Sequence, residues 1–250
     1  MLAVKSLEVY YGDFRAVAEI NLKLRPGILA ALIGPNGSGK STLLKAIAGV
    51  LDYSGSVMID GAEVRELGPW ERVKYVTYVP AAIASGADVT VGDLLLSSEG
   101  IDLKLLEVHV NMFDLGGLLG RKLWEVSTGE LGRALIARGL SRLSKVYLLD
   151  EPLSHIDLRY QIRALKYLRE LVRKGRLVII ASNQLSPLLS FADHVIVIKS
   201  GRILKSGATK EVVNSALIEE LYGVKAEVVR YGNLIDVVPV DEVETKLISR

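Results

Sequence analysis

The decisive stretch of this 250-residue sequence is Gly34-Pro35-Asn36-Gly37-Ser38-Gly39-Lys40-Ser41-Thr42. It matches the pattern G-x-x-x-x-G-K-[ST] and lies between an apolar segment, residues 29–33, and a predicted helix that begins at Lys40. In such a unit the glycines let successive backbone N–H groups turn toward an anion, and the helix N-terminus adds partial positive charge. The sequence therefore predicts a phosphate-binding loop between a buried strand and a helix.

Two side chains of the loop carry its predicted chemistry. Lys40 is expected to reach the β- and γ-phosphates of a bound nucleotide, ATP. The hydroxyl of Ser41 is expected to bind Mg²⁺, which bridges the same phosphates and offsets their charge. The predicted cofactors are therefore ATP and Mg²⁺.

An acidic pair, Asp150 and Glu151, follows the apolar run 146–149. The pair thus lies at the carboxyl end of a predicted buried strand, where α/β sheets bind their ligands. Asp150 is the predicted Mg²⁺ partner, and Glu151 is the predicted general base that polarises the attacking water. Without the phosphate loop the pair would be read as a surface turn before the next helix, but the loop favours the chemical interpretation.

The remaining patterning predicts an α/β fold: a P-loop NTPase core with a parallel sheet, an N-terminal antiparallel β subdomain and an inserted α-helical lobe. Buried strands are predicted at 146–149, 177–181 and 195–198, with a long amphipathic helix at 158–174. Half-exposed strands are predicted at 3–10, 19–24 and 54–59. A helical region is predicted at 89–142 and a strand-like tail at 224–240. We interpret the chain as a single domain, residues 1–250. The predicted core consists of residues 1–80 and 145–220. The predicted helical lobe is residues 81–144, and the predicted tail is residues 221–250.

Composition excludes several classes of function. Charged residues make up 24% and the formal net charge is +2, so nucleic acid is not an expected partner. The absence of cysteine excludes disulfides, thiol catalysis and cysteine-ligated zinc. The start of the sequence shows no pattern of a secretory signal, and the apolar runs are shorter than the ~20 residues that cross a bilayer. A role at the membrane is therefore expected to be peripheral.

Together these motifs and their order resemble the ATP-binding cassette of ABC transporters over essentially the whole chain. Val126-Ser127-Thr128-Gly129-Glu130 is similar to the family signature LSGGQ/E and is followed by a predicted helix, residues 131–142. The resemblance implies that Ser127, Gly129 and Glu130 cap the γ-phosphate of ATP held by a second ATPase subunit, in a head-to-tail dimer with two shared sites. We expect a homodimer, although the sequence leaves open whether the second subunit is identical. Taken alone, S-T-G-E would equally be a helix capping box.

The resemblance also assigns two residues outside these motifs. Tyr11 matches the aromatic residue that stacks on adenine in the family, although a lone tyrosine on a strand is more often ordinary packing. Asp157 ends the segment Ser154-His155-Ile156-Asp157, which matches the family loop that runs along the dimer seam.

Three positions depart from the family pattern. Ala81 stands where the family has a glutamine that touches Mg²⁺ and water, and Thr128 replaces a signature glycine. Asn183 stands where the family has a histidine that contacts the γ-phosphate. A carboxamide can still donate a hydrogen bond but carries no charge. Because Lys40 and Glu151 remain, slow hydrolysis is expected rather than none.

Length and the tail segments 221–224 and 236–239 look most like the ATPases of iron–siderophore, haem or cobalamin importers. The resemblance implies a subunit on the cytoplasmic side of the cell membrane, whose lobe, around residues 81–98, docks on a separate integral membrane permease. Two alternatives stay open at this point. One is a soluble ABC ATPase of repair, translation or iron–sulfur assembly. The other is a regulatory nucleotide-binding subunit with weak turnover, which Ala81 and Asn183 favour.

Overall fold

The structure is a computed structural model that describes residues 1–83, 88–97, 99–232 and 234–242. Its strands are β1 (Leu2–Tyr11), β2 (Phe14–Leu24), β3 (Ile28–Ile33), β4 (Ser54–Ile59), β5 (Ala62–Glu63), β6 (Val76–Val79), β7 (Val146–Asp150), β8 (Leu177–Ser182), β9 (His194–Lys199), β10 (Arg202–Ala208), β11 (Val224–Tyr231) and β12 (Leu234–Glu242). Its α-helices are α1 (Lys40–Ile47), α2 (Pro69–Tyr75), α3 (Val91–Leu96), α4 (Leu103–Met112), α5 (Thr128–Leu140), α6 (Leu158–Arg173), α7 (Leu188–Phe191), α8 (Thr209–Val212) and α9 (Ser215–Tyr222).

A six-stranded sheet in the order β10-β9-β3-β8-β7-β6 forms the centre of the molecule. Its strands pair in parallel from β9 through β6, and β10 pairs antiparallel with β9. Every residue of β7 and of β8 is buried. Covering both faces of a parallel sheet requires apolar side chains on both sides of each strand, which explains the near-continuous apolar runs. The predicted α/β core is confirmed.

An antiparallel sheet in the order β2-β1-β4-β5 forms the N-terminal part. Leu2, Val4, Leu7 and Val9 of β1 are buried with side chains of α1 and of the central sheet. The alternation of apolar and polar residues arises because one face of this sheet packs on the core. The predicted antiparallel subdomain is confirmed.

The helices α3, α4 and α5 form the predicted helical region and share a hydrophobic core with one face of the central sheet. Helix α5 starts at Thr128 and ends at Leu140, so the predicted bounds, 131–142, were wrong at both ends. The reason is a capping box in which the Ser127 side chain accepts from the Glu130 N–H, which starts the helix inside the S-T-G-E segment. The predicted permease-docking segment, 81–98, includes residues 84–87 and 98, which lie outside the described residues.

The predicted strand-like tail is a hairpin of β11 and β12, preceded by α9. Gly223 ends α9 with φ +69°, a left-handed conformation that favours glycine at a helix C-terminus. Ala226 and Ile235 bury one face of the hairpin against the body of the protein. Among the described residues, no helix has both the length and the apolar character of a membrane span.

A histidine is fully buried inside the helical region. His109 of α4 is 0% exposed, and its Nδ1 lies 2.9 Å from the hydroxyl of Ser141. Its ring meets that of Tyr167 edge-on, with the centroids 4.6 Å apart. Burial lowers the pKa of His109 from 6.5 to about 4, because the charged imidazolium would lose its hydration.

This burial predicts an acid-sensitive fold. The pKa of His109 is lower in the folded chain than in the unfolded chain, so its contribution is fully present above pH 6.5 and is lost as the pH falls toward 4. A shift of this size corresponds to about 3 kcal/mol of unfolding free energy. Urea unfolding at pH 7 and pH 4 should show this loss in the wild type and a smaller loss in His109→Gln. The exposed His155→Gln serves as control, and equal losses in all three proteins would contradict the prediction.

Candidate nucleotide-binding site

The predicted phosphate loop joins β3 to α1, and its backbone requires glycine at particular positions. Gly37 and Gly39 have φ values of +75° and +101°. At Gly34 a Cβ atom would lie 2.1 Å from the carbonyl oxygen of Ile198, so a side chain has no room. Gly39 precedes α1 and provides no side-chain cap. The N–H groups of the first helical turn are therefore not occupied by a capping side chain, as an anion site requires.

Lys40 is 6% exposed and folds back onto the loop. Its Nζ donates hydrogen bonds to Gly34 O at 2.7 Å, to Pro35 O at 3.1 Å and to Asn183 Oδ1 at 2.7 Å. Burial lowers the pKa of Lys40, and the negative charges of Glu151 and Asp150 act in the opposite direction. The ammonium thus has oxygen partners for all three of its donors before any phosphate arrives.

Ser41 and Asp150 lie next to each other, as predicted. Ser41 Oγ donates to Asp150 Oδ1 at 3.0 Å, and Asp150 is 3% exposed at the end of β7. A hydroxyl and a carboxylate are hard oxygen ligands of the kind that Mg²⁺ takes alongside phosphate oxygens. The donor set therefore fits Mg²⁺, with Ser41 and Asp150 as the residues that could hold it.

A third residue at this point, Tyr78 of β6, was missed in the sequence. Its hydroxyl donates to Asp150 Oδ2 at 3.1 Å, so both carboxylate oxygens are held. Burial and the charge of Asp150 raise the pKa of Tyr78, which keeps the phenol protonated as a donor. No motif in the sequence marks this tyrosine. Its contact depends on the parallel pairing of β6 with β7.

Glu151 follows β7 in a backbone conformation that non-glycine residues seldom adopt, with φ +46°. Its Oε1 accepts the Asn183 N–H at 2.8 Å, and its Oε2 accepts from Ser154 Oγ at 3.1 Å and from Ser182 Oγ at 3.3 Å. Such strained positions concentrate at functional sites, where the surrounding structure holds them. These bonds fix the direction of the Glu151 carboxylate.

A cavity of about 320 Å³ brings together the phosphate loop, Glu151, Asn183 and the aromatic residues Tyr11 and Phe14. Tyr11 is 49% exposed and Phe14 is 68% exposed, so both rings are free to meet a planar ligand. The two residues face each other across the β1–β2 turn. Phe14 was missed in the sequence, because only the hairpin pairing places it beside Tyr11.

The signature-like segment does not line this cavity. Ser127 and Glu130 bond to each other, with Ser127 N donating to Glu130 Oε2 at 2.8 Å and Glu130 N donating to Ser127 Oγ at 3.2 Å. The S-T-G-E segment thus forms a helix capping box in the structure. A Cβ atom on Gly129 would lie 2.5 Å from His155 O, so the start of α5 packs closely on the loop that ends at Asp157. Asp157 precedes α6 without capping it through its side chain.

A second cavity, of about 400 Å³, lies beside the first. It is lined by Ala81, Thr128, Glu151, His155 and Asn183, among others. All three departures from the family pattern, Ala81, Thr128 and Asn183, therefore line a space that also borders the predicted catalytic carboxylate. The methyl group of Ala81 offers no polar contact there.

Comparison with known proteins places this geometry in context. The sequence model of the family described as "ABC transporter" matches residues 17–154. The hemin import ATP-binding protein HmuV of Chelativorans sp. (strain BNC1) is 33% identical over 243 residues, covering 91% of this chain and 93% of the relative.

Solved structures show the same fold. A metal-chelate type ABC transporter in an inward-facing conformation is similar with a TM-score of 0.74 at 23% identity, covering 96% of each chain. The dimeric structure of MJ0796, a bacterial ABC transporter cassette, is similar with a TM-score of 0.73 at 22% identity. That likeness covers 84% of this chain and 99% of the other.

The hydrogen bond of Tyr78 generates a prediction for metal binding. In Tyr78→Phe, Asp150 Oδ2 loses its donor, so the carboxylate is less well oriented. We expect the Mg²⁺ concentration that half-saturates Mg²⁺-dependent ATP binding to rise roughly tenfold. The measurement is a Mg²⁺ titration of fluorescent ATP analogue binding. Tyr10→Phe, an exposed tyrosine of β1, is the control, and an unchanged titration in Tyr78→Phe would refute the prediction.

Proposed function

Because this chain belongs to the ABC transporter family of ATPases, we propose that it is the ATP-hydrolysing subunit that powers solute import through a separate membrane permease. The observation that carries the proposal is the convergence of Lys40, Ser41, Asp150, Glu151 and Asn183 around the phosphate loop. Lys40 binds the phosphates, Ser41 and Asp150 are the metal ligands, Glu151 is the base, and Asn183 is a neutral donor. Phosphoryl transfer requires these functions.

Binding of ATP changes the partners of Lys40. Its Nζ leaves the carbonyl oxygens of Gly34 and Pro35 and the side chain of Asn183, and donates to the β- and γ-phosphates. The backbone N–H groups of the loop and the first turn of α1 surround the phosphates. Tyr11 and Phe14 offer rings for the adenine. Ser41 and Asp150 would hold Mg²⁺, which would offset negative charge on the phosphates.

Hydrolysis requires a water held in line with the γ-phosphate. The Glu151 carboxylate accepts a proton from this water while the oxygen of the water bonds to the γ-phosphorus. The bond between the γ-phosphorus and the β-γ bridging oxygen breaks, which gives ADP and phosphate. The bonds from Asn183 N and from the hydroxyls of Ser154 and Ser182 hold the carboxylate for this step. Lys40 and the Asn183 amide stabilise negative charge on the transferring group.

The site is proposed to be completed by a second, identical subunit. Its Ser127, Gly129 and Glu130 would cap the γ-phosphate from the N-terminus of α5, with Asp157 in the seam. The dimeric cassette of similar fold supports this arrangement. The capping box of Ser127 and Glu130 also supports the shared site, because this box orders the N-terminus of α5. The side chain of Ser127 caps only the N–H of Glu130, so the N–H groups of the two helical residues before it can bind an anion.

The proposed cargo class is haem or a related metal chelate, such as an iron–siderophore or cobalamin. A relative named for hemin import and a similar fold in a metal-chelate type transporter support this choice. The subunit would lie peripherally on the cytoplasmic side of the membrane, with the helical lobe against the permease. The proposed division is a core of residues 1–80 and 145–220, a lobe of residues 81–144 and a tail of residues 221–250.

A second candidate is a regulatory ABC subunit that dimerises on ATP with weak turnover. Ala81 lines the cavity beside Glu151, and its side chain offers no polar atom to water or Mg²⁺. Asn183 brings no charge to the γ-phosphate. Both substitutions reduce transition-state stabilisation without removing the base.

Steady-state phosphate release tests the proposal. Purified protein with Mg²⁺ and ATP should release phosphate slowly, and Glu151→Gln should lower the rate by a factor of about 100 or more, because the base is lost. Turnover per subunit should rise with protein concentration, since each site needs two chains.

The control variant is Glu242→Gln, an exposed carboxylate of β12 remote from the loop in sequence. No release above Glu151→Gln, together with ATP-dependent dimerisation, would favour the regulatory candidate. Release that is strictly proportional to protein concentration would contradict the shared site.

A further inference from the structure

The hydroxyl of Tyr222 is a buried polar group to which the steps above give no role. Tyr222 is the last residue of α9, and its hydroxyl donates to no acceptor among the described residues. The backbone N–H of Gly34 is directed at the hydroxyl oxygen, and the charge of the Glu151 carboxylate acts on the same group. Burial raises the pKa of Tyr222 to about 12, so the phenol is a neutral donor. A buried donor without an acceptor costs stability and calls for an explanation.

Asn183 is the acceptor that becomes free when ATP binds. Its Oδ1 now accepts from Lys40 Nζ at 2.7 Å. Once Lys40 turns to the phosphates, this oxygen loses its donor. A carboxamide has one accepting and one donating end, and only the Nδ2 end can donate to a phosphate. Asn183 therefore needs a donor on Oδ1 to keep Nδ2 toward the γ-phosphate.

Tyr222 and Asn183 line the same cavity. This third cavity, of about 400 Å³, is also lined by Leu185 and, from the tail hairpin, by Val237. The hairpin is attached to the segment that follows Asn183. Ser186 Oγ donates to the Asp236 carboxylate, and the Ile235 N–H donates to Ser190 Oγ at 2.9 Å. The C-terminal part of the chain is thus connected to the segment that carries Asn183.

We propose that Tyr222 is a positioning residue for Asn183: in the ATP-bound state its hydroxyl replaces Lys40 as the donor to Asn183 Oδ1 and directs Nδ2 at the γ-phosphate. This inference rests on the proposed function, because it assumes that Asn183 faces the γ-phosphate. It gives the Tyr222 hydroxyl an acceptor, which it lacks while Lys40 Nζ donates to Asn183 Oδ1.

Nucleotide binding without turnover tests the inference. Isothermal titration calorimetry compares the affinities for MgADP and for the non-hydrolysable analogue AMP-PNP, which carries a γ-phosphate. Tyr222→Phe should weaken AMP-PNP binding by roughly threefold to tenfold, the effect of one lost hydrogen bond, and leave ADP binding unchanged. Tyr231→Phe, 82% exposed on the same tail, is the control and should change neither affinity.

A double-mutant cycle separates positioning from a structural effect. If Tyr222 acts through Asn183, then Tyr222→Phe should change nothing further in an Asn183→Ala protein. Additive losses, equal weakening of AMP-PNP and ADP, or unchanged AMP-PNP binding would each overturn the inference. These outcomes are measured as nucleotide affinities. They are therefore distinguishable from a failure of the proposed function, which would appear as absent phosphate release.

Discussion

The parallel pairing of β3, β8 and β7 is the constraint on which the site depends. Ile33 pairs with Ser182, and Asp150 pairs with Ala181. These pairings bring the carboxyl ends of three strands to one edge of the sheet, although the strands are far apart in the sequence. The phosphate loop follows β3, Asn183 follows β8, and the acidic pair consists of the last residue of β7 and the residue after it. Because all three strands are buried on both faces, a slip in register would disturb the core and the site together.

The contacts of Lys40 also show how the protein keeps a cation in a half-buried loop. An ammonium removed from water requires hydrogen-bond partners, and Lys40 finds them in two loop carbonyls and in Asn183. These oxygens are substitutes for phosphate oxygens. ATP binding therefore exchanges one set of acceptors for another, which limits the cost of releasing the lysine and frees Asn183 at the same moment.

The sequence predicted those parts of the fold and site that depend on local patterns. Apolar runs and their spacing identify the strands, and the glycine loop identifies where phosphate is expected. Tyr78, Phe14 and Tyr222 could not be predicted in this way, because each contact depends on which strands pair or on where the tail packs. The start of α5 was misplaced for a different reason. The S-T-G-E segment satisfies a capping box and a family motif at once, and the cap decides where the helix begins.

The substitution of asparagine for histidine gives the tail a physical connection to the chemistry. A carboxamide must be oriented by a second group, since its two ends have opposite hydrogen-bonding character. The group that the structure provides comes from α9, which ends at Gly223 so that the hairpin can turn back on the segment after Asn183. Asn183 and Tyr222 are therefore best understood as one arrangement. The site lacks the positive charge that a histidine could bring at position 183, and a more closely oriented Asn183 Nδ2 donor offsets this lack.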